Sequence, residues 1–295
     1  MSKEELKKKL TKGYLTESGN LKKGFPWLTH HFKVNNELLQ EVLFELRNPK
    51  LVDVPKITEP ADELFLAHYN EIKDVNTGVI GDTHFPFDKE GYIDFVYDTF
   101  KQYKVNKIVH IGDVSDNHGI SYHEKDPAGI SIGEEYRQTL VKCHKLYKMF
   151  THVDICIGNH DALPFRKLFT AGLPSYWLKS YQELLQSPKT WNWGFTHVIN
   201  NVVYNHGSGK SGSMAAINFA KDNRCSTVIG HLHTEMSVKF AASFKDIIFG
   251  VSVGCGIDRD KYAFAYGKEE AKKQIVGCSV VLNNGTLPIN IPMKF

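Results

Sequence analysis

Five short apolar runs in this chain each end in a polar motif, and this arrangement restricts the possible fold more than any other feature of the sequence. The runs, such as Val79-Ile80 and Ile108–Ile111, are rich in β-branched residues, as buried strands usually are. The motifs that follow them are Gly81-Asp82-Thr83-His84, Gly112-Asp113, Gly158-Asn159-His160-Asp161, Asn205-His206-Gly207 and Gly230-His231-Leu232-His233. Because open α/β sheets place their chemistry at the carboxyl ends of strands, we expect an α/β fold with these motifs along one rim.

The side chains in these motifs are of the kinds that bind metal ions. Carboxylates and the Asn159 amide offer hard oxygen ligands, and the histidines offer nitrogen ligands of intermediate softness. Such a mixture suits manganese, iron, zinc or a mixed pair of ions. Each motif alone is a weak signal, whereas the five motifs in this order form a specific combination.

In that order, Asp-x-His, Gly-Asp, Gly-Asn-His-Asp, His and Gly-His-x-His resemble the motifs of the calcineurin-like metallophosphoesterases. The resemblance extends from about Asn76 to Phe295. It implies a four-layer α/β/β/α sandwich, in which helices flank two β-sheets, with a site for two divalent metal ions. From Val238 onward the sequence is rich in strand-forming residues, with a hairpin over Ile275–Ile291 around Asn283-Asn284-Gly285, and we expect this end of the chain to belong to the second sheet.

The resemblance also implies a role for each motif residue. One metal ion would be held by Asp82, His84 and His233, and the other by Asn159, His206 and His231. Asp113 would bridge the two ions, and His160 would be the catalytic histidine beside the leaving group. Asp116 would orient His160 by a hydrogen bond to one ring nitrogen. We expect manganese first, with iron, zinc or nickel as alternatives.

Two such ions explain why these residue types are needed. Cations about 3.5–4 Å apart stabilise both the attacking and the leaving oxygen of an in-line displacement at phosphorus. A water shared between them loses a proton far more readily than bulk water, so a metal-bridging hydroxide is the expected nucleophile. No serine or cysteine nucleophile is then required.

The long polar loop from Val114 to Gly133 follows the expected bridging carboxylate, and loops of this length are usually functional. Some phage-type members of the family have loops that resemble it, so we expect Asn117, His118 and His123 to bind substrate. In the protein serine/threonine phosphatases of the family, the Gly-Asp motif is followed three residues later by a second aspartate, and then by an arginine that binds phosphate. Here Asn117 follows Asp116, which argues against tight binding of a dianionic phosphomonoester.

The amino-terminal segment carries the positive charge of the chain. Residues 1–50 contain ten Lys or Arg and six Glu, a balance of +4, so the remaining residues sum to −1 within the net +3. A helix over Phe25–Phe32, a short turn and a helix over Glu37–Arg47 resemble a helix-turn-helix module that binds DNA, with Lys22, Lys23, Lys33 and Arg47 as contacts. The alternative is a small helical cap that packs on the enzyme.

We therefore expect a helical domain over residues 1–73, including a connector over 51–60 and a helix over 61–73, and a metallophosphoesterase domain over 74–295. The leading functional hypothesis is a phosphodiesterase or nuclease that acts on DNA. One alternative is a phosphatase or phosphodiesterase acting on nucleotides or phosphoproteins. Another is a DNA-binding protein with an inactive phosphoesterase domain, although the complete ligand set argues against it.

Composition limits the remaining possibilities. The chain has no apolar run long enough to span a membrane, and its start lacks the apolar core of a signal peptide. Five scattered cysteines without paired spacing favour a reducing, cytoplasmic setting. Gly207–Ser211 imitates a phosphate-binding loop, but Tyr204 stands where that motif needs glycine. We expect His110 to be a core histidine, and Trp177, Trp191 and Trp193 to serve packing rather than base stacking.

Overall fold

The computed structural model describes residues 1–14, 21–47, 75–122, 129–258 and 273–294. The chain divides into two compact units, Met1–Lys56 and Ile57–Phe295, and each is described by itself. The expected connector over 51–60, the helix over 61–73 and the domain boundary near residue 74 lie outside the described residues and stay predictions.

The first unit contains helices Lys3–Lys9, Phe25–Phe32 and Asn36–Arg47, and a π-helical turn Leu10–Tyr14 continues the first of them. Local chemistry sets their ends. Ser2 forms a capping box with Glu5, and the Asn35 side chain accepts a hydrogen bond of 2.8 Å from the Leu38 amide. The helices bury a core of their own, formed by Leu6, Leu10, Leu28, Leu39, Val42 and Leu43.

The second unit is built on two β-sheets. The first sheet consists of the strands β1 Thr77–Ile80, β2 Lys107–His110, β3 Val153–Cys156, β4 Trp191–Gly194, β10 Gly277–Leu282 and β11 Leu287–Pro292. They lie in the order β11-β10-β1-β2-β3-β4, and β1 to β4 run parallel to one another. The second sheet consists of the strands β5 Thr196–Ile199, β6 Val202–Asn205, β7 Ser226–Ile229, β8 Ser237–Ala242 and β9 Ile247–Ser252. They lie in the order β5-β6-β7-β9-β8.

The carboxyl-terminal hairpin corrects one expectation from the sequence. The hairpin around Asn283-Asn284-Gly285 is present, as β10 and β11. We expected the strand-rich end of the chain to complete the second sheet, but only β8 and β9 do so. β10 instead pairs antiparallel with β1 in the first sheet. Pairing of β1 with a strand about 200 residues away depends on which sheet edge is open, and local sequence does not encode this.

Helices cover the outer faces of both sheets. They span Tyr92–Gln102, Ile132–Met149, Leu163–Thr170, Tyr181–Leu184 and Ala215–Asn223, with 3₁₀ turns at His118–Ile120 and Ser175–Trp177. The side chains of Ser131 and Ser180 cap two of them.

Alternating strand residues build the layers of the second unit. Ile80 packs toward the helices, with Val96 and Tyr147, whereas its neighbour Val79 packs toward the second sheet, with Val228. Ala216 packs with Ile229 on the far side of the second sheet. The result is the predicted α/β/β/α arrangement. Among the described residues, no helix is both long and apolar enough to cross a membrane.

Candidate metal centre

The predicted ligands converge where strands of both sheets end. Asp82, Asp113 and Asn159 follow β1, β2 and β3 of the first sheet. His206 and His231 follow β6 and β7 of the second sheet. Because both sheets contribute strand ends to the same rim, residues about 150 positions apart come into contact.

Among the described residues, three groups of side chains could hold a metal ion, and two of them consist entirely of predicted ligands; the third is His84, Asp116 and His160. The first of the two clusters of predicted ligands consists of Asp82, His84, Asp113 and His233, whose ligand atoms all lie within 4.8 Å of one another. His233 Nε2 is 3.0 Å from Asp82 Oδ2, and His84 Nε2 is 3.5 Å from Asp113 Oδ2. These are the residues assigned to one metal ion, together with the expected bridging carboxylate. Their donor atoms and spacing fit a divalent ion such as manganese or zinc.

The second cluster consists of Asp113, His206 and His231. His206 Nε2 lies 3.0 Å from Asp113 Oδ2 and 3.0 Å from Asn159 Oδ1. His206 Nδ1 donates to the carbonyl of Ile111, which directs Nε2 into the cluster. Asp113 belongs to both clusters, so the arrangement has the shape of a two-ion site with one shared carboxylate.

Two buried carboxylate oxygens in these clusters indicate that the site fits cations. Asp82 Oδ1 and Asp113 Oδ2 are buried and accept no hydrogen bond of good geometry within the part of the chain that the structure describes. Buried charged oxygens are normally paired or bound to a metal ion.

Electrostatics within the clusters point the same way. Burial alone would raise the pKa of Asp113, but the positive charge of His206 and its close contact with the carboxylate outweigh burial and hold the pKa well below its ordinary value. In return, although burial lowers it, Asp113 and Asp82 raise the pKa of His206 to about 10. Protonated His206 thus neutralises the negative charge of the carboxylates that a divalent ion would otherwise neutralise. Binding of such an ion must therefore displace a proton from His206.

The backbone is strained at the clusters. His84, Asp113 and His231 adopt left-handed conformations, with φ of 46°, 49° and 66°. Such conformations are costly for residues other than glycine and concentrate at functional sites. Gly158 has a different role, since a Cβ there would lie 2.0 Å from Asp113 Oδ1. Glycine at this position allows the turn after β3 to approach the shared carboxylate.

Asp116 is placed differently from our expectation. Its carboxylate accepts a hydrogen bond of 2.6 Å from His84 Nδ1, whereas His160 Nδ1 donates over 2.5 Å to the Asp116 backbone carbonyl. The Asp116 carboxylate is 3.5 Å from His160 Nδ1, a weaker contact. Asp116 therefore orients a ring of the first cluster through its side chain, and orients His160 through its main chain.

His160 lies at the edge of the two clusters. Its amide donates over 2.7 Å to Asp113 Oδ1, which ties it to the shared carboxylate. Because the Asp116 carbonyl can only accept, the proton of a neutral ring is fixed on Nδ1 and the lone pair on Nε2. Burial lowers the pKa of His160, but Asp113 and Asp116 more than compensate and raise it.

Two of the three residues expected to bind substrate make hydrogen bonds within the protein. The Asn117 amide nitrogen donates to Ser115 Oγ and to the His160 carbonyl, at 2.8 and 2.9 Å. The His118 amide donates over 2.7 Å to Glu135, and the ring remains partly exposed with Nδ1 3.8 Å from Asp116 Oδ2. Asn117 thus braces the turn that carries His160, whereas the ring of His118 remains accessible. His123 lies outside the described residues.

Two carboxylates that hold the site together had no role in the sequence analysis. Asp161 accepts hydrogen bonds from the amides of Val114, Ser115 and Gly158, and so joins the turns that follow β2 and β3. Burial and the nearby Asp113 raise its pKa to about 7. Glu135 accepts from the amides of His118 and Gly119. The position of Asp161 in the Gly-Asn-His-Asp motif was a signal for it, whereas nothing in the sequence marked Glu135.

Several features that we discounted behave as expected. His110 is buried, accepts from the Gly112 amide and contacts Thr83 Oγ1 at 3.2 Å, so it is a core histidine. Lys210 forms an ion pair with Asp222 and does not belong to a phosphate-binding loop. Trp191 is buried and Trp193 stacks on Tyr181, but Trp177 is 65% exposed and packs in no core.

A sequence model of the calcineurin-like phosphoesterases matches residues 75–235, which is more than half of the 295 residues and includes all seven predicted ligands. A search of curated protein sequences finds no match.

Solved structures with a similar fold include an archaeal phosphodiesterase, the phosphoesterase YfcE from E. coli and a metallophosphoesterase from Sphaerobacter thermophilus. Their sequences are 12%, 16% and 12% identical to this chain, and their TM-scores are 0.38, 0.34 and 0.39. The matches cover 74%, 70% and 75% of this chain and 100%, 88% and 89% of those chains. Likeness at this level carries no information on activity or substrate.

Proposed function

The chain belongs to the calcineurin-like phosphoesterase family, and from this premise we propose that it hydrolyses phosphodiester bonds, with DNA as the substrate. The observation that carries the proposal is the pair of clusters that share Asp113. One ion would be held by Asp82, His84, Asp113 and His233, and the other by Asp113, Asn159, His206 and His231. When bound, the two ions would supply Lewis acidity at phosphorus and a nucleophile at neutral pH.

The protein's own part in the reaction centres on His160. Its Nδ1 is held by the Asp116 carbonyl, so Nε2 is the atom that carries a transferable proton. In the proposed reaction, the imidazolium donates that proton to the leaving oxygen. The bond from its amide to Asp113 keeps the ring at a fixed distance from the shared carboxylate.

A diester fits the site better than a monoester. A phosphomonoester carries a second negative charge, and sites that hold it tightly usually provide arginine. At the position after Asp116 this chain has Asn117, whose amide nitrogen is already bonded to Ser115 and His160. It therefore supplies no positive charge to a substrate.

Charge in the first unit supports DNA as the substrate. Lys22, Lys23 and Lys33 are exposed there, and the segment over residues 1–50 has a balance of +4. Neutralisation of phosphates by such side chains is the main source of affinity for DNA. The side chain of Arg47 is outside the described part of the structure, so its role remains the original prediction.

The test uses full-length protein loaded with Mn²⁺ and four substrates: linear duplex DNA, single-stranded DNA, bis(p-nitrophenyl) phosphate and p-nitrophenyl phosphate. We expect cleavage of DNA and of the chromogenic diester, and little turnover of the monoester. His206→Ala should abolish diester turnover, whereas His152→Ala, at an exposed histidine, should not change it. Turnover of the monoester alone would instead support the alternative of a phosphatase.

A further inference from the structure

The surface next to the turn that carries His160 has large aromatic side chains exposed to solvent. Phe169, Tyr176 and Trp177 are 85%, 82% and 65% exposed. They lie on the helix Leu163–Thr170 and on the 3₁₀ turn Ser175–Trp177, which contact each other. Exposed aromatic groups gathered in one place are unfavourable in water and usually mark a binding surface.

The segment that forms this surface also carries positive charge. Residues 162–182 contain Arg166, Lys167 and Lys179 and no Asp or Glu. The Arg166 guanidinium is 5.2 Å and Lys167 Nζ 3.4 Å from the ring centroid of Tyr122. The Tyr122 hydroxyl lies 3.4 Å from Thr170 Oγ1, so the ring is attached to this helix. Among the described residues, neither cation forms an ion pair, and their charge is available to an anionic ligand.

This surface is formed by Arg166, Lys167, Phe169, Tyr176 and Trp177, and its helix begins beside the turn that carries His160. The amide of Leu163, the first residue of the helix, donates to the His160 carbonyl over 3.1 Å. Six residues of helix separate Leu163 from Phe169, a rise of about 9 Å. A single strand spans about 9 Å with about three stacked nucleotides at ~3.4 Å each.

The chemistry of the surface matches one class of ligand. Aromatic faces bind unpaired bases by stacking, and the cations between them neutralise the phosphates. In a duplex, base faces are already stacked and cannot reach such side chains. We propose that Arg166, Lys167, Phe169, Tyr176 and Trp177 bind single-stranded DNA that flanks the bond to be cleaved. The inference rests on the proposed action on DNA and deepens it, since it names a preference for single strands.

The test measures binding to a DNA analogue that resists hydrolysis by the enzyme. Mn²⁺-loaded full-length protein is titrated into fluorescently labelled phosphorothioate oligonucleotides, single-stranded and duplex, and anisotropy gives Kd. Trp177→Ala and Tyr176→Ala should each raise Kd for the single strand about 5- to 150-fold, as loss of one stacked base typically does. A double variant, Arg166→Gln with Lys167→Gln, should also weaken binding and should flatten its salt dependence.

Matched controls come from the turn between β8 and β9. Phe244 is fully exposed there, and Lys245 follows it. Phe244→Ala and Lys245→Gln should bind the single strand as the wild type does. Thermal unfolding of every variant, together with turnover of bis(p-nitrophenyl) phosphate, checks that the fold and the metal centre are intact.

Three outcomes would overturn the inference. The first is unchanged single-strand affinity in the Trp177 and Tyr176 variants. The second is an equal loss of duplex binding, which would remove the preference for single strands. The third is loss of binding to vesicles of phosphatidylcholine and phosphatidylglycerol, with no change for DNA, which would assign the surface to membranes. If single strands bind through this surface but no DNA is cleaved, the proposed function fails and the surface is a binding site for single strands alone. If DNA is cleaved while the Trp177 and Tyr176 variants keep wild-type affinity, the proposed function stands and the inference fails.

Discussion

At the residue scale, the two neighbouring imidazoles of His84 and His160 differ in what holds their Nδ1 atoms. His84 is held by the Asp116 carboxylate and His160 by the Asp116 carbonyl. One residue thus fixes the tautomers of a proposed ligand and of a proposed acid by two different groups. Side-chain substitution of Asp116 should therefore affect metal binding more than proton transfer.

Asp116→Ala should weaken Mn²⁺ binding about 10- to 100-fold, as loss of a residue that orients a ligand commonly does. Asp116→Asn keeps an acceptor for His84 Nδ1, so a smaller loss is expected. Isothermal titration of the metal-free proteins with Mn²⁺ measures both. Wild-type affinity in Asp116→Ala would refute the role assigned to this carboxylate.

His160→Asn tests the proposed acid. We expect hydrolysis of a diester with a poor leaving group to slow about 10²–10⁴-fold, which is the usual contribution of general acid catalysis. The loss should be smaller for bis(p-nitrophenyl) phosphate, because p-nitrophenolate needs little protonation to depart. Steady-state rates on both substrates decide the matter, with exposed His152→Asn as the control. Equal losses on the two substrates would mean that His160 does not act as an acid.

The sequence predicted the residues of these clusters better than the bonds among them. The ligand positions follow from motifs at strand ends, since the strand direction dictates where each motif emerges. The partner of Asp116 does not follow from its spacing of three residues from Asp113, because both rings lie within its reach. Glu135 was missed for a similar reason: its contacts with the His118 and Gly119 amides depend on the packing of a helix against a loop.

At the scale of elements, the turn after β3 and the turn after β2 form one unit. Asp161 joins them through three amides, and Gly158 allows them to touch. Gly158→Ala would place a methyl group 2.0 Å from Asp113 Oδ1, so the turns must separate.

We expect Gly158→Ala to destabilise the protein by about 1–3 kcal/mol, the usual cost of overpacking, and to reduce Mn²⁺ affinity. Gly133→Ala is the matched control, because a Cβ there meets only the end of Arg137 at 3.9 Å in a helix. Urea unfolding and metal titration give the two quantities. Full metal affinity in Gly158→Ala would contradict the close approach of the turns.

Strand β2 supplies a pH-dependent contribution to stability through His110. Burial lowers the pKa of His110 from 6.5 to about 4. As pH falls from about 6.5 to 4, His110 becomes protonated in the unfolded chain but stays neutral in the folded chain. The free energy of unfolding therefore decreases by about 3 kcal/mol over this interval. Above about pH 6.5, His110 is neutral in both states and this loss of stability is absent.

His110→Gln should remove this effect, so that its unfolding free energy rises by about 3 kcal/mol relative to that of the wild type as pH falls from about 6.5 to 4, both measured in EDTA. The raised pKa of Asp161 acts in the opposite direction over this interval and is common to both proteins. His152→Gln, at an exposed site, should leave the dependence as in the wild type. A slope in His110→Gln equal to that of the wild type would show that another group is responsible.

At the scale of the whole molecule, the chain combines a basic helical unit with a phosphoesterase unit. The amphipathic spacing of Leu39, Val42 and Leu43 predicted the helix that carries them, and all three are buried. The spacing of the apolar residues could not distinguish a DNA-binding module from a helical cap, because the helices of both need the same buried apolar face. Similarly, the sequence predicted the strands of the hairpin β10–β11 but not the sheet that they join.

Replacing Lys22, Lys23 and Lys33 together by Gln tests the role of the basic unit. If each lysine contacts a phosphate, the slope of log affinity against log salt should become shallower by about 0.9 for each, or roughly 2.7 in all. Replacing the exposed lysines Lys221, Lys245 and Lys294 by Gln removes equal charge from the second unit and should change the slope little. Equal slopes for the first variant and the wild type would assign the helices to another role, such as the cap.

The central claim is that two divalent ions share Asp113 and that hydrolysis depends on this arrangement. Metal content by mass spectrometry, together with turnover of bis(p-nitrophenyl) phosphate, tests it for wild type and Asp113→Ala after both are loaded with Mn²⁺. We expect two ions per chain and turnover in the wild type, and fewer than two ions with no turnover in Asp113→Ala. A full complement of two ions with wild-type turnover in Asp113→Ala would contradict the account.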